Sequence, residues 1–393
     1  MTLVDIISNG GLLCDGDWIE KKDQDVRGKV RLIQLADIGD GEFKDKSSKY
    51  ITLETAERLH CTFLEKGDIL IARLPEPLGR ACIFPLEGAY ITAVDIAILR
   101  IKDISINPQY IMYLINSSTF RSQIKQYESG TTRKRISRKN LEKIEFSLPN
   151  LEIQNRIVAR IEELFSKLDK AVDTLKTTKE QLEVYRQAVL VDAFRVATNS
   201  THLKIGYVCA KIVDCPHSTP KWEKNGKLCL RTTNFKRGYL DLQSPNYVSE
   251  ETFHDRNRRI IPQPGDVLYS REGSVLGIAC TIPSNVYPCL GQRMMLLRSG
   301  EKLNNRYLMH YLNSPMVTNH VIATKGGTGS PHINVGDIKE FQIPIPSLEE
   351  QSNIVCQIEE QLSSCDNVEK TVDAILTQAD AMRQSILKQA FEE

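Results

Sequence analysis

Two stretches of the chain, residues 150–195 and 347–392, contain neither Gly nor Pro and space their apolar residues three and four apart. In the first, Val158, Ile161, Phe165, Leu168, Val172, Leu175, Leu182 and Val189 form a heptad seam interrupted by Lys179 and Arg186. In the second, Val355, Ile358, Leu362, Cys365, Val372, Leu376, Ala379 and Ile386 repeat it, interrupted by Glu369 and Arg383. This spacing predicts two helices with one apolar stripe each, about 65 Å long at 1.5 Å per residue. Pro149 with Asn150, and Pro346 with Ser347, stand just ahead of acidic residues that suit a helix N-terminus. Neither stripe can be hidden alone, so an antiparallel coiled coil is expected.

Residues 1–147 and 200–346 read differently. Short β-branched or aromatic runs, such as 31–35, 69–72, 81–84 and 96–101, are punctuated by Gly, Pro and Asp and predict strands. Each region also holds one helix-like stretch, 108–117 or 305–314, with an Asn placed to cap it. The class is therefore α+β, in four segments: domains 1–147 and 200–346, and helical spacers 148–199 and 347–393. The segments repeat. At an offset of 197 residues, 151–164 returns as 348–361, 50–52 as 247–249, 110–117 as 307–314, and Phe194 as Phe391. At 198, 67–70 aligns with 265–268, Arg73 with Arg271, Gly79 with Gly277 and Pro85 with Pro283. A duplicated two-part module of this size predicts approximate twofold symmetry and two similar surfaces for one target.

Composition changes this picture little. With 41% hydrophobic and 26% charged residues the chain is ordinary globular material, long enough for two or three cores. No stretch approaches the roughly 20 apolar residues that span a bilayer, and the first residues lack a basic n-region. A cytoplasmic protein away from the membrane is expected, its ten cysteines reduced. Charge adds more. The net +1 hides a polarised chain: Lys and Arg minus Asp and Glu is +1 over 1–147, zero over 148–199, +7 over 200–346 and −7 over 347–393. The second domain would be drawn to a polyphosphate.

The candidate binding residues lie in the two domains. In the second they are His217, Thr219, Lys221, Arg231, Asn234, Arg271, Gln292 and Arg293, with Lys325, Thr328 and Ser330 of a Gly-rich stretch whose amides could approach phosphates. In the first, Thr131, Thr132, Arg133, Lys134 and Arg135 are followed by Arg138 and Lys139, five cations within seven residues. Trp18 stands where His217 does, and Gln34 falls in the counterpart of 230–234. Arg and Lys pair with guanine O6/N7, and Asn and Gln with adenine N6/N7. Arg73 and Arg271, each after a Gly-Asp turn, suit a structural pin equally well. Cys209, Cys215, His217 and Cys229 lack the paired spacing of a zinc site, so no metal is expected. No phosphate-binding loop with its Lys occurs, nor the Asn/Asp-Pro-Pro-Tyr/Phe motif of amino-methyltransferases, so no catalytic residue is assigned and the chain is read as not an enzyme.

The order domain, long helix, domain, long helix resembles the specificity subunit of type I restriction-modification enzymes. The likeness is most specific at the helix starts, 148–158 and 345–355, with further matches at 214–221, 230–234, the run ending at Arg271, and 290–298. It implies two target-recognition domains, each reading one half of a split sequence in double-stranded DNA, joined by conserved helices. Those helices would space the domains and dock two modification (methyltransferase) subunits, with restriction/translocase subunits completing the complex. It also implies that S-adenosylmethionine, ATP and Mg²⁺ belong to those partners and that none is bound by this chain. The alternative is a two-domain protein-interaction scaffold that does not bind DNA; the near-neutral total favours it, and the basic cluster at 133–139 opposes it.

Overall fold

The computed structural model describes residues 1–7, 10–74, 77–324 and 331–392. The chain forms two compact units: Met1–Leu175 with the residues from Ala374 onward, and Lys176–Asp373.

In the first unit, strands Leu12–Asp15, Ile96–Arg100, Ile69–Ala72 and Ala81–Ile83 lie in that order in one antiparallel sheet. Strand Val30–Ile33 is the centre of a second sheet, antiparallel to Lys49–Ile51 and parallel to Tyr90–Thr92. The two inner strands of the first sheet are apolar from Ile69 to Ala72 and from Ile96 to Leu99 because both faces are covered. Ile69, Ile71, Ala97 and Leu99 pack with helix Pro108–Asn116, while Leu70, Ala72, Ile96 and Ile98 pack with Ile33, Ile38 and Phe84. Strict alternation is therefore invisible along these runs.

The second unit repeats this plan. Its antiparallel sheet runs Ala279–Thr281, Val267–Ser270, Met294–Ser299, Cys209–Asp214. Lys227–Leu230 lies between Tyr247–Val248 and Cys289–Leu290. Helices Pro108–Asn116 and Asn305–Asn313 are capped by Asn107 and Asn304, whose side chains accept from the first helical amides. The same buried polar ties recur. Asn116 exchanges two hydrogen bonds with the main chain of Ala81, and Asn313 with that of Ala279, at 2.8 and 2.9 Å. Arg100 grips Asp68, and Arg298 grips Asp266, each through two bonds of 2.7 and 2.8 Å.

Helices Leu151–Arg195 and Leu348–Glu392 each contribute to both units. In the second unit, Lys179 lies 2.8 Å from Asp373, and Arg186 lies 2.7 Å from Asp366 and 2.9 Å from Glu369. As the basic partner advances from 179 to 186, the acidic one retreats from 373 to 366, so the helices are antiparallel there. In the first unit Arg383 pairs with Asp169 and sits 5.0 Å above the Phe165 ring. The polar interruptions of the seam are thus its ion pairs. Near the helix ends, Phe194 packs edge-on against Tyr307 and Tyr311, and Phe391 against Tyr110.

A buried glutamine fixes each helix start to its globular part. Gln351 accepts from Asn304 N–H at 2.8 Å and donates to the carbonyls of Lys302 and Pro346 at 2.9 Å. Gln154 does the same with Asn107, Ser105 and Pro149. Replacing Gln351 by Leu keeps the volume but strands one amide and two carbonyls. We expect a loss of about 2–4 kcal/mol: three fully buried groups would cost about 1–3 each, but Lys302 is exposed and Pro346 only partly buried, so water can replace part of what is lost. Urea unfolding of the full chain checks it, and a loss under about 0.5 kcal/mol would show that the tie is dispensable.

Candidate nucleic-acid interface

In the second unit two loops meet beside the end of strand Cys209–Asp214. One runs through 215–222, and the other, 291–293, joins Cys289–Leu290 to Met294–Ser299. Gly291 lets this second loop hug the strand edge: its N–H donates to Leu230 O at 2.9 Å, and a Cβ there would stand 2.3 Å from that oxygen. Beneath them Arg271 is buried and grips the Asp214 carboxylate through Nε and Nη2 at 2.9 and 3.1 Å. His217 joins this pair, its Nδ1 3.3 Å from Arg271 and its Nε2 3.1 Å from Asp214. A two-bond Arg–carboxylate contact fixes orientation as well as energy, so Arg271 is a brace for the loop that bears His217.

Thr219 and Gln292 hydrogen-bond across the gap between the loops at 3.1 and 3.3 Å. Arg293 adopts a left-handed backbone, φ 70°, with its guanidinium 3.5 Å from Glu272. Such a conformation in a residue other than Gly costs of order 1–3 kcal/mol and collects at functional sites. Arg231 stacks over Trp222 at 5.3 Å, and Lys221 is exposed. Asn234 is buried and committed to the main chain, accepting from Arg231 N–H and donating to Asp241 O. It holds the turn that presents Arg231 and is not free to read a base. Lys325, Thr328 and Ser330 lie outside the described residues.

The first unit sets an arginine and an aspartate in the corresponding places, joined by one ion-pair contact in place of two hydrogen bonds and with different exposed groups. Arg73 pairs with Asp15 at 3.2 Å and donates to the carbonyls of Val94 and Ile136. Arg138 lies 2.6 Å from Glu142 and 3.4 Å from Asp15. Gln34 caps a short turn; its N–H donates to Asp37, in the place that Asn234 fills opposite Arg231. Thr131, Thr132, Arg133, Lys134 and Arg135 are all exposed on a loop closed by reciprocal main-chain bonds between Ser129 and Arg135 at 2.9 Å. Lys134 reaches Glu128 at 2.8 Å. Trp18 is 71% exposed. The structure therefore joins Arg73 to Arg138 through Asp15, and His217 to Arg271 through Asp214.

Sequence reasoning missed Asp15 and Asp214, which gain meaning only from the distant arginines they hold. It also missed Arg256, buried beneath both loops of the second unit. In sequence Arg256 looks like an ordinary cation in the last turn of helix Glu250–Arg256.

Comparison with known proteins gives one family. The model of the type I restriction modification DNA specificity domain matches residues 11–184 and 213–377. The StySPI specificity subunit of Salmonella potsdam is 25% identical over 305 residues, 73% of this chain and 65% of that protein. The EcoKI specificity subunit of Escherichia coli K12 is 24% identical, over 72% of this chain and 64% of that one. The chain thus aligns with slightly less than two thirds of the length of these relatives. Among solved structures, the HsdS subunit from Thermoanaerobacter tengcongensis has a TM-score of 0.57 at 19% identity, covering 98% of this chain and 97% of that one. A chain solved in a study of assembly and conformational transition in the type I restriction-modification system has a TM-score of 0.67 at 19% identity and 98% coverage of both. These likenesses concern the fold.

One carboxyl beside the exposed Trp18 titrates in an accessible range. Burial pushes Asp17 up to about 6, against hydrogen bonds from Thr62 N–H and the Cys61 thiol. Because the folded pKa lies above the unfolded value, the native state binds more protons between pH ~4 and ~6, and Asp17 lowers stability as pH rises through that window. Asp17→Asn should therefore stabilise the chain at pH 7, by roughly a few tenths to 1 kcal/mol after discounting for its partial exposure. The gain should vanish below pH ~4. Urea midpoints at pH 4 and 7 decide it; an equal shift at both would exclude the ionisation as the cause.

Proposed function

The chain belongs to the type I restriction-modification DNA specificity family, and on that premise we propose that it is the sequence-reading subunit of such a complex. Each unit takes one half of a split site in double-stranded DNA, and the chain itself carries out no chemistry. Residues 1–147 and 200–346 act as recognition domains, and 148–199 and 347–393 as the helical spacers. Two modification subunits and the restriction/translocase subunits are the partners. S-adenosylmethionine, ATP and Mg²⁺ sit on those partners, and the complex works in the cytoplasm, where the DNA is. Among the described residues no helix is long and apolar enough to cross a membrane.

One observation carries this reading beyond family membership: the two units share their braces and differ in what they expose. Asp15–Arg73 and Asp214–Arg271 hold corresponding loops. Above them one unit presents Trp18 and the 131–135 loop, the other His217, Thr219, Lys221 and Arg293. A common frame with unlike surfaces is what reading two unlike half-sequences requires. Exposed Arg and Lys suit phosphates and guanine edges, and Thr and Gln suit other bases.

Co-expression with the modification subunit, followed by mapping of methylated adenines, tests the proposal. The expected result is a split motif with two different halves and a fixed spacer. A continuous motif, or none, would refute it. A second measurement addresses the basic loop. Changing Arg133, Lys134 and Arg135 together to Ala should weaken duplex binding and reduce the slope of log K against log salt by roughly one to three, since each phosphate contact contributes about 0.9. Unchanged affinity and slope would leave that loop as a solvated surface.

A further inference from the structure

We infer that Arg256 is the positioning residue that sets how the second unit reads its half of the site, an inference that rests on the function proposed above. Arg256 ends helix Glu250–Arg256 and is buried, only 7% exposed. Its Nε donates to Leu290 O at 2.6 Å; its Nη2 lies 2.9 Å from Gly291 O, 3.1 Å from Ser218 O and 3.4 Å from Pro216 O. Burying a guanidinium is expensive, yet its hydrogen-bond partners among the described residues are four main-chain carbonyls and no carboxylate. Three of those carbonyls belong to the two loops that carry the exposed candidates, and the fourth, Leu290 O, ends the strand that leads into the second loop. The guanidinium is a rigid planar fork, so one side chain fixes the separation and tilt of both loops. Above it Thr219 and Gln292 meet at 3.1 Å, a contact that exists only while the loops keep that spacing. Arg293, next along, is held in its left-handed conformation by the bond from Arg271 N–H to its carbonyl at 3.0 Å.

The duplication supplies an internal control. At the offset that aligns Gly67 with Gly265, the counterpart of Arg256 is Arg58, which also ends a helix, Leu53–Arg58. Its side chain is 59% exposed and donates to the Asp23 carboxylate at 2.8 Å instead of clamping loops. Half-site reading should therefore depend on the arginine in the second unit and not in the first. Base contacts tolerate misplacement poorly, whereas phosphate contacts made by long exposed side chains tolerate it well. Loss of the clamp should relax sequence choice while leaving general DNA attraction in place.

The test uses the full chain assembled with its modification subunits, in wild-type form and as Arg256→Met, Arg256→Lys and Arg58→Met, with methylated adenines mapped and duplex affinity measured against salt. Arg256→Met fills the space but cannot bond the carbonyls. It should lower discrimination within one half of the motif by about 10- to 100-fold, the scale of a lost base contact, and leave the other half intact. Arg256→Lys should restore part of it, and Arg58→Met should change neither half. The salt slope for non-cognate DNA should stay within about half a unit, because a buried Arg256 touches no phosphate. An unchanged motif, equal loss in both halves, or a slope reduced by about one would each overturn the assignment. Should Arg256→Met fail to fold, Arg256→Lys decides alone: selective relaxation of one half supports the clamp, and an unaltered motif overturns it. A wild-type complex with no split motif would instead sink the parent reading, and this one with it.

Discussion

The fold depends on burying two long apolar stripes against each other, and the charges set inside those stripes decide how. A helix with one apolar face is unstable in isolation, and most of its stability comes from packing. Seam residues such as Ile161, Leu168, Val189, Ile358, Cys365 and Val372 are buried. An uninterrupted seam would nonetheless permit slippage by a heptad at little cost. Arg186 prevents this in the second unit. Its side chain is 17% exposed and meets Asp366 and Glu369. A slip of seven residues in either direction would place it against Leu376 or Leu362 in place of Glu369, with Asp373 or Glu359 in place of Asp366. Each slip takes one of two carboxylates from a largely buried guanidinium, which is costly, so these polar positions exchange some stability for a preferred register.

Once the register is set, the globular parts inherit it through a few buried polar ties. Gln154 and Gln351 bond the loops ahead of helices Pro108–Asn116 and Asn305–Asn313. Asn116 and Asn313, at the far ends of those helices, bond the edge strands Ala81–Ile83 and Ala279–Thr281. Rod, helix and sheet are therefore connected by amide side chains, each using both its donor and its acceptor. Such groups are directional where apolar packing is not, and they repeat between the units while the exposed loops do not.

Much of this was legible in the sequence, for identifiable reasons. A seam at heptad spacing, free of Gly and Pro, located the long helices within a residue or so of Leu151–Arg195 and Leu348–Glu392. The Asn caps were visible because capping is local in sequence. The sheets were harder: Ile69–Ala72 and Val267–Ser270 are buried on both faces, so their runs show no alternation. The candidate interface was only partly legible. Exposed cations at 133–135 announce themselves by density, whereas a brace such as Asp214–Arg271 spans 57 positions and no local pattern records it. Asn234 shows the converse failure, because its chemistry suits adenine but its hydrogen bonds are spent on Arg231 and Asp241. Residue type suggests what a side chain can do, and only its neighbours show whether it is available.

The same distinction changes what net charge means for this chain. Residues 1–147 carry a net +1 and 200–346 a net +7, which would suggest that only the second region attracts polyphosphate. Many acids of the first region, however, face inward or are already neutralised. Asp37 is buried and accepts the N–H groups of Gln34, Lys46 and Ser47; Asp68 is gripped by Arg100; Asp15 is shared by Arg73 and Arg138. The loop at 131–135 keeps its cations exposed. In the second region Arg271 and Arg298 pair with Asp214 and Asp266, so these pairs add nothing to its +7. Field at a surface comes from charges that reach solvent, screened within about 10 Å at ordinary salt. A near-neutral domain can therefore present a basic edge as strong locally as that of a formally basic one, and the small total is no argument against phosphate contact by the first unit.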